Sequence, residues 1–341
     1  MTAADPYLPN GKPTPVVRVE LVKTGRWWTR LLFVLFVLSC LLNLILMATT
    51  ATGIRGSASG TEVFVSGDAT SSDKIAILDI SGTIMPPFTD RTLKTIDTLI
   101  ADDNVKGVLL AIDSPGGFVA DSHQIYARLL KLRQKKPIFV SMGRIAASGG
   151  YYVAMGAGPN GQIFAEPTTW TGSIGVIIPR YDVSKLAHDY GVKSEPLVTG
   201  EFKDSLNPFR EMTPAEEDLW QEIMADAFDR FQGVIDEGRG NLTLEQIKPL
   251  ATGRIFTANQ SLAAGLIDQI GFEEDALTAL QVHLKLSSVR VVRYQHPQTL
   301  LETLVNSQAQ AKPIDPLQQL LDASTPRAMY FCGWHAGLTS R

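Results

Sequence analysis

The chain has 341 residues, of which 45% are hydrophobic and 19% charged, and its formal net charge is −4. This composition is typical of a packed globular protein and excludes a disordered chain, and the net charge gives no general attraction to nucleic acid. Because two cysteines are too few for a disulfide framework and the five histidines show no metal-ligand spacing, we expect no metal, no cofactor and no nucleic-acid partner.

An uncharged apolar run, residues 31–54, follows the N-terminal tail. About 20 apolar residues cross a bilayer as a helix. Trp27 and Trp28 precede the run, and basic residues outnumber acidic ones in residues 1–30, which favours a cytoplasmic tail. We therefore predict a tail (1–30), a single transmembrane helix (31–54) in the cell membrane, and an extracytoplasmic remainder. A cleaved signal peptide is the alternative, although signal peptides have shorter apolar regions, of ~7–15 residues.

The remainder of the chain begins with residues 55–73, which are rich in Gly, Ser, Thr and Ala and predict a linker. From residue 74, apolar strands alternate with amphipathic helices, which predicts an α/β fold with a mainly parallel sheet covered by helices. Further elements are predicted in order along the chain: strands at 162–167, 173–178 and 195–200, a long helix from Thr213, and a strand at 289–295. Residues 296–341 form an extension of unknown role.

The stretch "IDSPGGF", residues 112–118, follows a predicted strand. Pro115 restricts the backbone, whereas Gly116 and Gly117 free it. Such a loop can direct backbone N–H groups at one point, as an oxyanion hole requires. A tight strand-to-helix turn is the simpler interpretation of this stretch alone.

The stretch "GRIAASGGYY", residues 143–152, places Ser148 before a predicted helix that begins at Gly149. A helix N-terminus favours negative charge, including an alkoxide, and the small neighbours leave room for a peptide backbone. A serine that caps the helix is the common alternative. Taken alone, the stretch favours the cap.

A serine nucleophile needs a base. No histidine stands in a context that selects it, although a Ser–His–Asp triad stays open. A lysine serves only when neutral, which requires burial. "VTGEFKDSLNPF" offers Lys203, with Phe202, Leu206 and Phe209 to desolvate it, although most lysines lie at the surface. Ser173, in "TGSIGVI", can support a catalytic group or cap a turn.

Together these stretches resemble the signal peptide peptidase A family, the Ser–Lys serine peptidases of family S49. The resemblance covers about residues 74–285 and rests on five stretches in the family's order: "IDSPGG", "SMGRIAASGGYYVAMGA", "TGSIGVI", "GEFKDSLNPF" and "GRIFTANQSLAAGLIDQIG". It implies a ClpP/crotonase-type fold, with a peptidase domain over 74–295. An N-terminal membrane anchor also fits the family.

The resemblance also implies the site residues. Ser148 would be the nucleophile, Lys203 the general base, Ser173 the residue that orients the lysine, and the N–H of Gly117 part of the oxyanion hole. We add the N–H of Gly149, because the residue after a nucleophile often contributes a donor.

The expected activity is that of a membrane-anchored serine endopeptidase. The resemblance implies that it cleaves small apolar peptides near the membrane, such as remnant signal peptides, and that it forms a homo-oligomer. The dyad is completed either within one chain or between neighbouring chains. A non-catalytic membrane-anchored scaffold of the same fold is the alternative, and the presence of both Ser148 and Lys203 argues against it. A crotonase-like acyl-CoA enzyme would need neither residue.

Overall fold

The computed structural model describes residues 26–54, 61–295 and 329–331. The chain divides into two compact units, residues 1–56 and residues 57–341. The described part of the first unit is helix α1 (Arg26–Ile54). Its window Trp27–Leu44 is long and apolar enough to cross a membrane, a property that signal sequences share.

Within the part of the second unit that the structure describes, nine strands form one mainly parallel sheet in the order β1-β10-β2-β3-β5-β6-β9, with β7 beside β5 and β8 beside β7. A two-stranded sheet pairs β11 with β4. The strands are β1 (Thr61–Gly67), β2 (Lys74–Ser81), β3 (Val105–Ser114), β4 (Gly116–Phe118), β5 (Ile138–Ala147), β6 (Ile163–Ala165), β7 (Trp170–Gly172), β8 (Ile255–Thr257), β9 (Gln269–Ile270), β10 (Arg290–Gln295) and β11 (Met329–Phe331).

Helices cover both faces of this sheet. The α-helices described in this unit are α2 (Phe88–Ala101), α3 (Val119–Arg133), α4 (Gly149–Ala154), α5 (Ser184–Asp189), α6 (Pro214–Gly238), α7 (Leu244–Ile247), α8 (Ala258–Ala263) and α9 (Glu273–Leu284). On one face, Leu110 and Val140 join a large buried cluster with residues of α2 and α3. On the other, Ile77 and Leu109 pack with residues of α9. The apolar strands are therefore buried on both sides, and the predicted covered parallel sheet is confirmed.

Two predicted strands are absent from the described residues. Residues 173–178 are not a strand, and β7 ends before them at Gly172. The reason is local, because Gly172 and Ser173 both have positive φ angles, of 79° and 50°, which end an extended segment. Residues 195–200 form an exposed loop that pairs with no strand.

In two other segments, the structure has a strand where the sequence predicted none. The predicted linker 55–73 contains β1, which pairs antiparallel with β10 and whose "VFV" consists of β-branched and aromatic residues that favour strands. The extension 296–341 contributes β11, which pairs antiparallel with β4. The rest of that extension and the tail up to residue 25 lie outside the described residues.

Candidate active site

Ser148 lies on the turn between β5 and α4, and α4 begins at Gly149 as predicted. Its φ of 53° and ψ of −114° place a non-glycine residue in a region that costs about 1–3 kcal/mol and recurs at functional sites. Among the described residues, the side chain makes no capping hydrogen bond, and its buried Oγ has no hydrogen-bond partner. The capping interpretation is therefore wrong, and the turn instead presents an unpaired hydroxyl, as nucleophile turns between strand and helix do.

The glycine loop at β4 is fixed from two sides. Ser114 Oγ accepts a hydrogen bond from Gly116 N at 3.1 Å and donates one to the carbonyl of Gly82 at 2.6 Å. The sequence analysis missed this role of Ser114, although the residue stands inside the "DSPGG" motif. A serine directly before a Pro-Gly-Gly turn is the signal that could have revealed it.

The backbone N–H and C=O groups of Gly117 point away from Ile84. Ile84 N donates to the Gly116 carbonyl and Phe118 N donates to the Ile84 carbonyl, both at 2.9 Å. In this parallel bridge the residue between Gly116 and Phe118 directs its N–H and C=O to the opposite side. A Cβ on Gly117 would lie 2.0 Å from Ile84 O, so only glycine fits there.

The glycine loop and the start of α4 touch. A Cβ on Gly149 would lie 3.1 Å from both Gly117 N and Gly116 Cα. The same position would lie 2.5 Å from Oγ of Ser122, a buried hydroxyl without a hydrogen-bond partner in the described structure. The structure thus brings the two predicted oxyanion donors together, directly after Ser148 in the chain.

Ser173 lies next to Ser148 through the β5–β7 pair. Ser148 N donates to the Gly172 carbonyl at 2.8 Å, and Ser173 is the next residue along the chain. Ser173 is buried, and its own N–H donates to the Arg254 carbonyl at 2.8 Å, which fixes its backbone. Four of the five predicted site residues are therefore neighbours.

Lys203 is the exception. It lies exposed in a turn where its N–H donates to the Gly200 carbonyl at 3.1 Å. Ser148 Oγ has no hydrogen-bond partner in the part of the chain that the structure describes, which includes Lys203, so this lysine does not reach the serine within one chain. Within the described residues Phe202 is itself 41% exposed, so it does not provide the predicted desolvation there.

Comparison with known proteins shows to which family the chain belongs. The model of Peptidase family S49 matches residues 131–287, and that of Clp protease matches residues 69–171. The chain is 36% identical to a candidate protease of Synechocystis sp. over 70% of this chain and 84% of that one. It is 34% identical to a candidate signal peptide peptidase SppA of Enterococcus faecium over 84% of this chain and 89% of the other. The chain belongs to peptidase family S49.

The Clp protease match and the observed sheet give this S49 peptidase a ClpP-like fold, as predicted. Among solved structures, a point mutant of ClpP1 from Listeria monocytogenes aligns at 18% identity and a TM-score of 0.41. That alignment covers 59% of this chain and 94% of the other.

In this S49 peptidase, Arg210 anchors the lysine turn. Its guanidinium donates to the Asp204 carboxylate at 3.0 Å, to the Asp204 carbonyl at 2.6 Å and to both oxygens of Glu216. These bonds hold the pKa of Glu216 down at about 2. Trp220 Nε1 adds a bond to Ser205 Oγ at 3.0 Å. The turn is therefore fixed to the N-terminal part of α6, a role of Arg210 that no pattern in the sequence signalled.

Proposed function

We propose that the chain is a membrane-anchored serine endopeptidase in which Ser148 is the nucleophile and Lys203 of a neighbouring chain is the general base. The observation that carries the proposal is the strained backbone of Ser148: its buried hydroxyl has no hydrogen-bond partner in the described part of the chain, and the next residue, Gly149, lies against Gly117. Strain of this kind persists where the surrounding structure enforces it for function.

The chemistry would be acyl transfer. Neutral Lys203 removes the proton from Ser148, and the resulting alkoxide attacks a peptide carbonyl. The N–H groups of Gly117 and Gly149 stabilise the oxyanion, and loss of one such donor costs ~3–4 kcal/mol. The lysine then protonates the leaving amine, and water hydrolyses the ester on Ser148. Ser173 would orient the lysine through its hydroxyl.

In the proposed site, a second chain would desolvate Lys203. A lysine becomes neutral near physiological pH only when it is desolvated, and this one is exposed in the single chain. Large apolar side chains near its segment are also exposed, a condition that marks interaction surfaces: Ile177, Tyr181, Leu197, Val198 and Phe202. A cyclic homo-oligomer that buries them would place each lysine at the next chain's serine.

The proposed substrates are small apolar peptides near the membrane, such as remnant signal peptides. The apolar helix α1 supports an anchor, and the basic tail before it supports a cytoplasmic N-terminus with the catalytic unit outside. The relative from Enterococcus faecium is named as a candidate signal peptide peptidase, which supports this substrate class.

Fluorophosphonate labelling of the full chain in detergent tests the nucleophile. We expect a label on Ser148 that is lost in both Ser148→Ala and Lys203→Ala. Labelling that persists in Lys203→Ala would refute the dyad. No labelling and no peptide cleavage by the wild type would favour the non-catalytic scaffold.

Co-expression of the two variants tests the shared site. If each site takes its serine and its lysine from different chains, a random equal mixture regains about one quarter of the wild-type sites, since half of the serines and half of the lysines are intact. Sites completed within one chain would regain no activity. Separately purified variants serve as the control.

A further inference from the structure

Strand β5 changes its neighbour shortly before Ser148. Residues up to Met142 pair with β6, and residues from Ile145 pair with β7. Towards β3, the three residues 143–145 stand opposite Asp113 alone, so β5 carries two extra residues here. Such a bulge is rare in a parallel pair, and bulges recur beside active sites, where they re-aim a side chain. The strand that leads to the nucleophile turn is therefore bent just before that turn.

The side chain of Thr169 binds this bulge from the side of β6 and β7. Thr169 lies in the turn between these two strands, where its N–H donates to the Glu166 carbonyl at 3.0 Å. The residue is completely buried. Its hydroxyl donates to the Gly143 carbonyl at 2.6 Å and to the Met142 carbonyl at 3.1 Å, a hydrogen bond shared between two acceptors. One hydroxyl therefore ties the β6–β7 turn to the point where β5 leaves β6.

Asp113 binds the same bulge from the side of β3. Its carboxylate accepts hydrogen bonds from Ile145 N at 3.3 Å and from Arg144 Nε at 2.9 Å. The Arg144 side chain is 89% exposed, and an ion pair so exposed contributes little. The contact with Ile145 N is therefore the one that fixes the backbone of the bulge. Strands on both sides of β5 thus contribute a polar side chain to this bulge.

The bulge leads directly into the turn of Ser148. Residues 146 and 147 separate the two, and both pair with β7. The Thr171 hydroxyl donates to the Ala146 carbonyl at 2.6 Å, and Ser148 N donates to the Gly172 carbonyl at 2.8 Å. A shift of the bulge therefore meets no loose segment that could absorb it. It would reach the strained backbone of Ser148, which persists only because its surroundings enforce it.

We propose that Thr169 and Asp113 are positioning residues of the peptidase: through the bulge, they set the direction in which Ser148 presents its hydroxyl. The proposal rests on the proposed function, since that function makes Ser148 the nucleophile. A displacement of about 1 Å at a reacting group can cost about a hundredfold in rate. The contrasting interpretation is that the two residues only stabilise the fold.

Peptidase kinetics of the full chain in detergent test Thr169. Thr169→Val keeps the shape of the side chain and removes its hydroxyl. We expect kcat for an apolar peptide to fall at least about tenfold and KM to change less than about twofold, because the nucleophile moves and the substrate contacts do not. Thr169→Ser keeps the hydroxyl and should keep kcat within about threefold of the wild type. The pH at which activity rises should not move, because Lys203 is unchanged.

Thr95→Val is the matched control for Thr169→Val. Thr95 is equally buried, and its hydroxyl donates to the Arg91 carbonyl at 3.1 Å within α2. Both variants replace a buried threonine and should lower the melting temperature, whereas only Thr169→Val should lower kcat. A Thr169→Val variant that loses stability as the control does and keeps its kcat would overturn the positioning role of Thr169.

Three variants separate the two contacts of the Asp113 carboxylate. Asp113→Asn keeps an oxygen that can accept from Ile145 N, and Arg144→Met removes the exposed partner. Both should keep kcat within about threefold of the wild type. Asp113→Ala removes the contact with Ile145 N and should lower kcat at least about tenfold. An Arg144→Met variant as slow as Asp113→Ala would overturn the role given to the Ile145 contact.

Hydrogen exchange separates this proposal from the proposed function, because it needs no catalysis. The Ser148 N–H should exchange at least about tenfold faster in Thr169→Val than in the wild type, and at the wild-type rate in Thr95→Val. Faster exchange in a chain whose Ser148 is never labelled by a fluorophosphonate would support the positioning and refute the peptidase reaction. Unchanged exchange in Thr169→Val would overturn the positioning, whatever the labelling.

Discussion

The Arg210 guanidinium donates to the carboxylate of Asp204, the residue directly after Lys203, with Nε 3.0 Å from Oδ2. The same guanidinium binds the buried Glu216 at the start of α6. One side chain therefore fixes the lysine turn to a long helix. Because the lysine has to meet a serine on another chain in the proposed site, this rigidity decides whether the two groups meet.

We expect Arg210→Met to lower kcat/KM for an apolar peptide by at least about tenfold, since a misplaced catalytic group is costly. The variant should also be less stable, because the negative charge of Glu216 loses its counter-charge and keeps only the hydrogen bonds from Thr213. The double variant Arg210→Met/Glu216→Gln removes that charge and should regain thermal stability without regaining activity. Lys185→Ala, which breaks an exposed ion pair with Asp189, serves as the control. Recovery of activity in the double variant would contradict the positioning role.

Acid should weaken the Arg210–Glu216 pair in a defined pH range. Hydrogen bonds from Arg210 lower the pKa of Glu216 from 4.5 to about 2. A carboxyl group whose pKa is lower in the folded state stabilises the fold above its ordinary pKa, and this contribution is lost as the pH falls through the lower value. We expect the wild type to have a higher melting temperature than Glu216→Gln at pH 7, and the difference to shrink between pH 4.5 and 2. A constant difference would contradict the assignment.

The central fold could be predicted because β2, β3 and β5 are apolar runs long enough to be recognised on their own. The end of β7 could not be predicted from the sequence. It depends on the positive φ angle of Ser173, which a serine adopts only when its surroundings impose it. β11 has three residues and no periodicity, and it exists through its pairing with the distant β4. Local patterns carry no information about such a contact.

The candidate site likewise has one part that the sequence could predict and one part that it could not. Ser148, Gly117 and Gly149 belong to recognisable turns that follow strands of one sheet, so topology brings them together. The turn of Lys203 is fixed by Arg210, and in the proposed site the lysine also depends on contacts with a second chain. The family resemblance could therefore select this lysine, but local patterns could not predict that it lies apart from Ser148 within one chain.

Adding one methyl group to the oxyanion loop should abolish activity. In Gly117→Ala the new Cβ would lie 2.0 Å from Ile84 O, so the loop has to move and its N–H loses its direction. We expect fluorophosphonate labelling of Ser148 to fall at least about a hundredfold, the usual effect of losing one oxyanion donor. Gly233→Ala is the matched control, because a Cβ there would meet no atom of the described residues within 4 Å. It lies within α6 and should stabilise the protein by up to about 1 kcal/mol without changing labelling. Normal labelling of Gly117→Ala would exclude this loop as the oxyanion hole.

The N-terminal helix gives a prediction that separates an anchor from a signal peptide. An epitope tag before residue 1 should remain on the mature chain and stay with the membrane after an alkaline carbonate wash, because α1 offers an apolar window of 18 residues. Alkaline phosphatase fused after residue 341 should be active, since this enzyme folds only outside the cytoplasm and the basic tail holds the N-terminus inside. Replacing Lys12, Arg18 and Lys23 with glutamate should reduce that activity, whereas glutamine at Asn10 should not. Loss of the tag from the mature chain would show that the segment is a signal peptide, and an inactive fusion on a retained helix would reverse the proposed orientation.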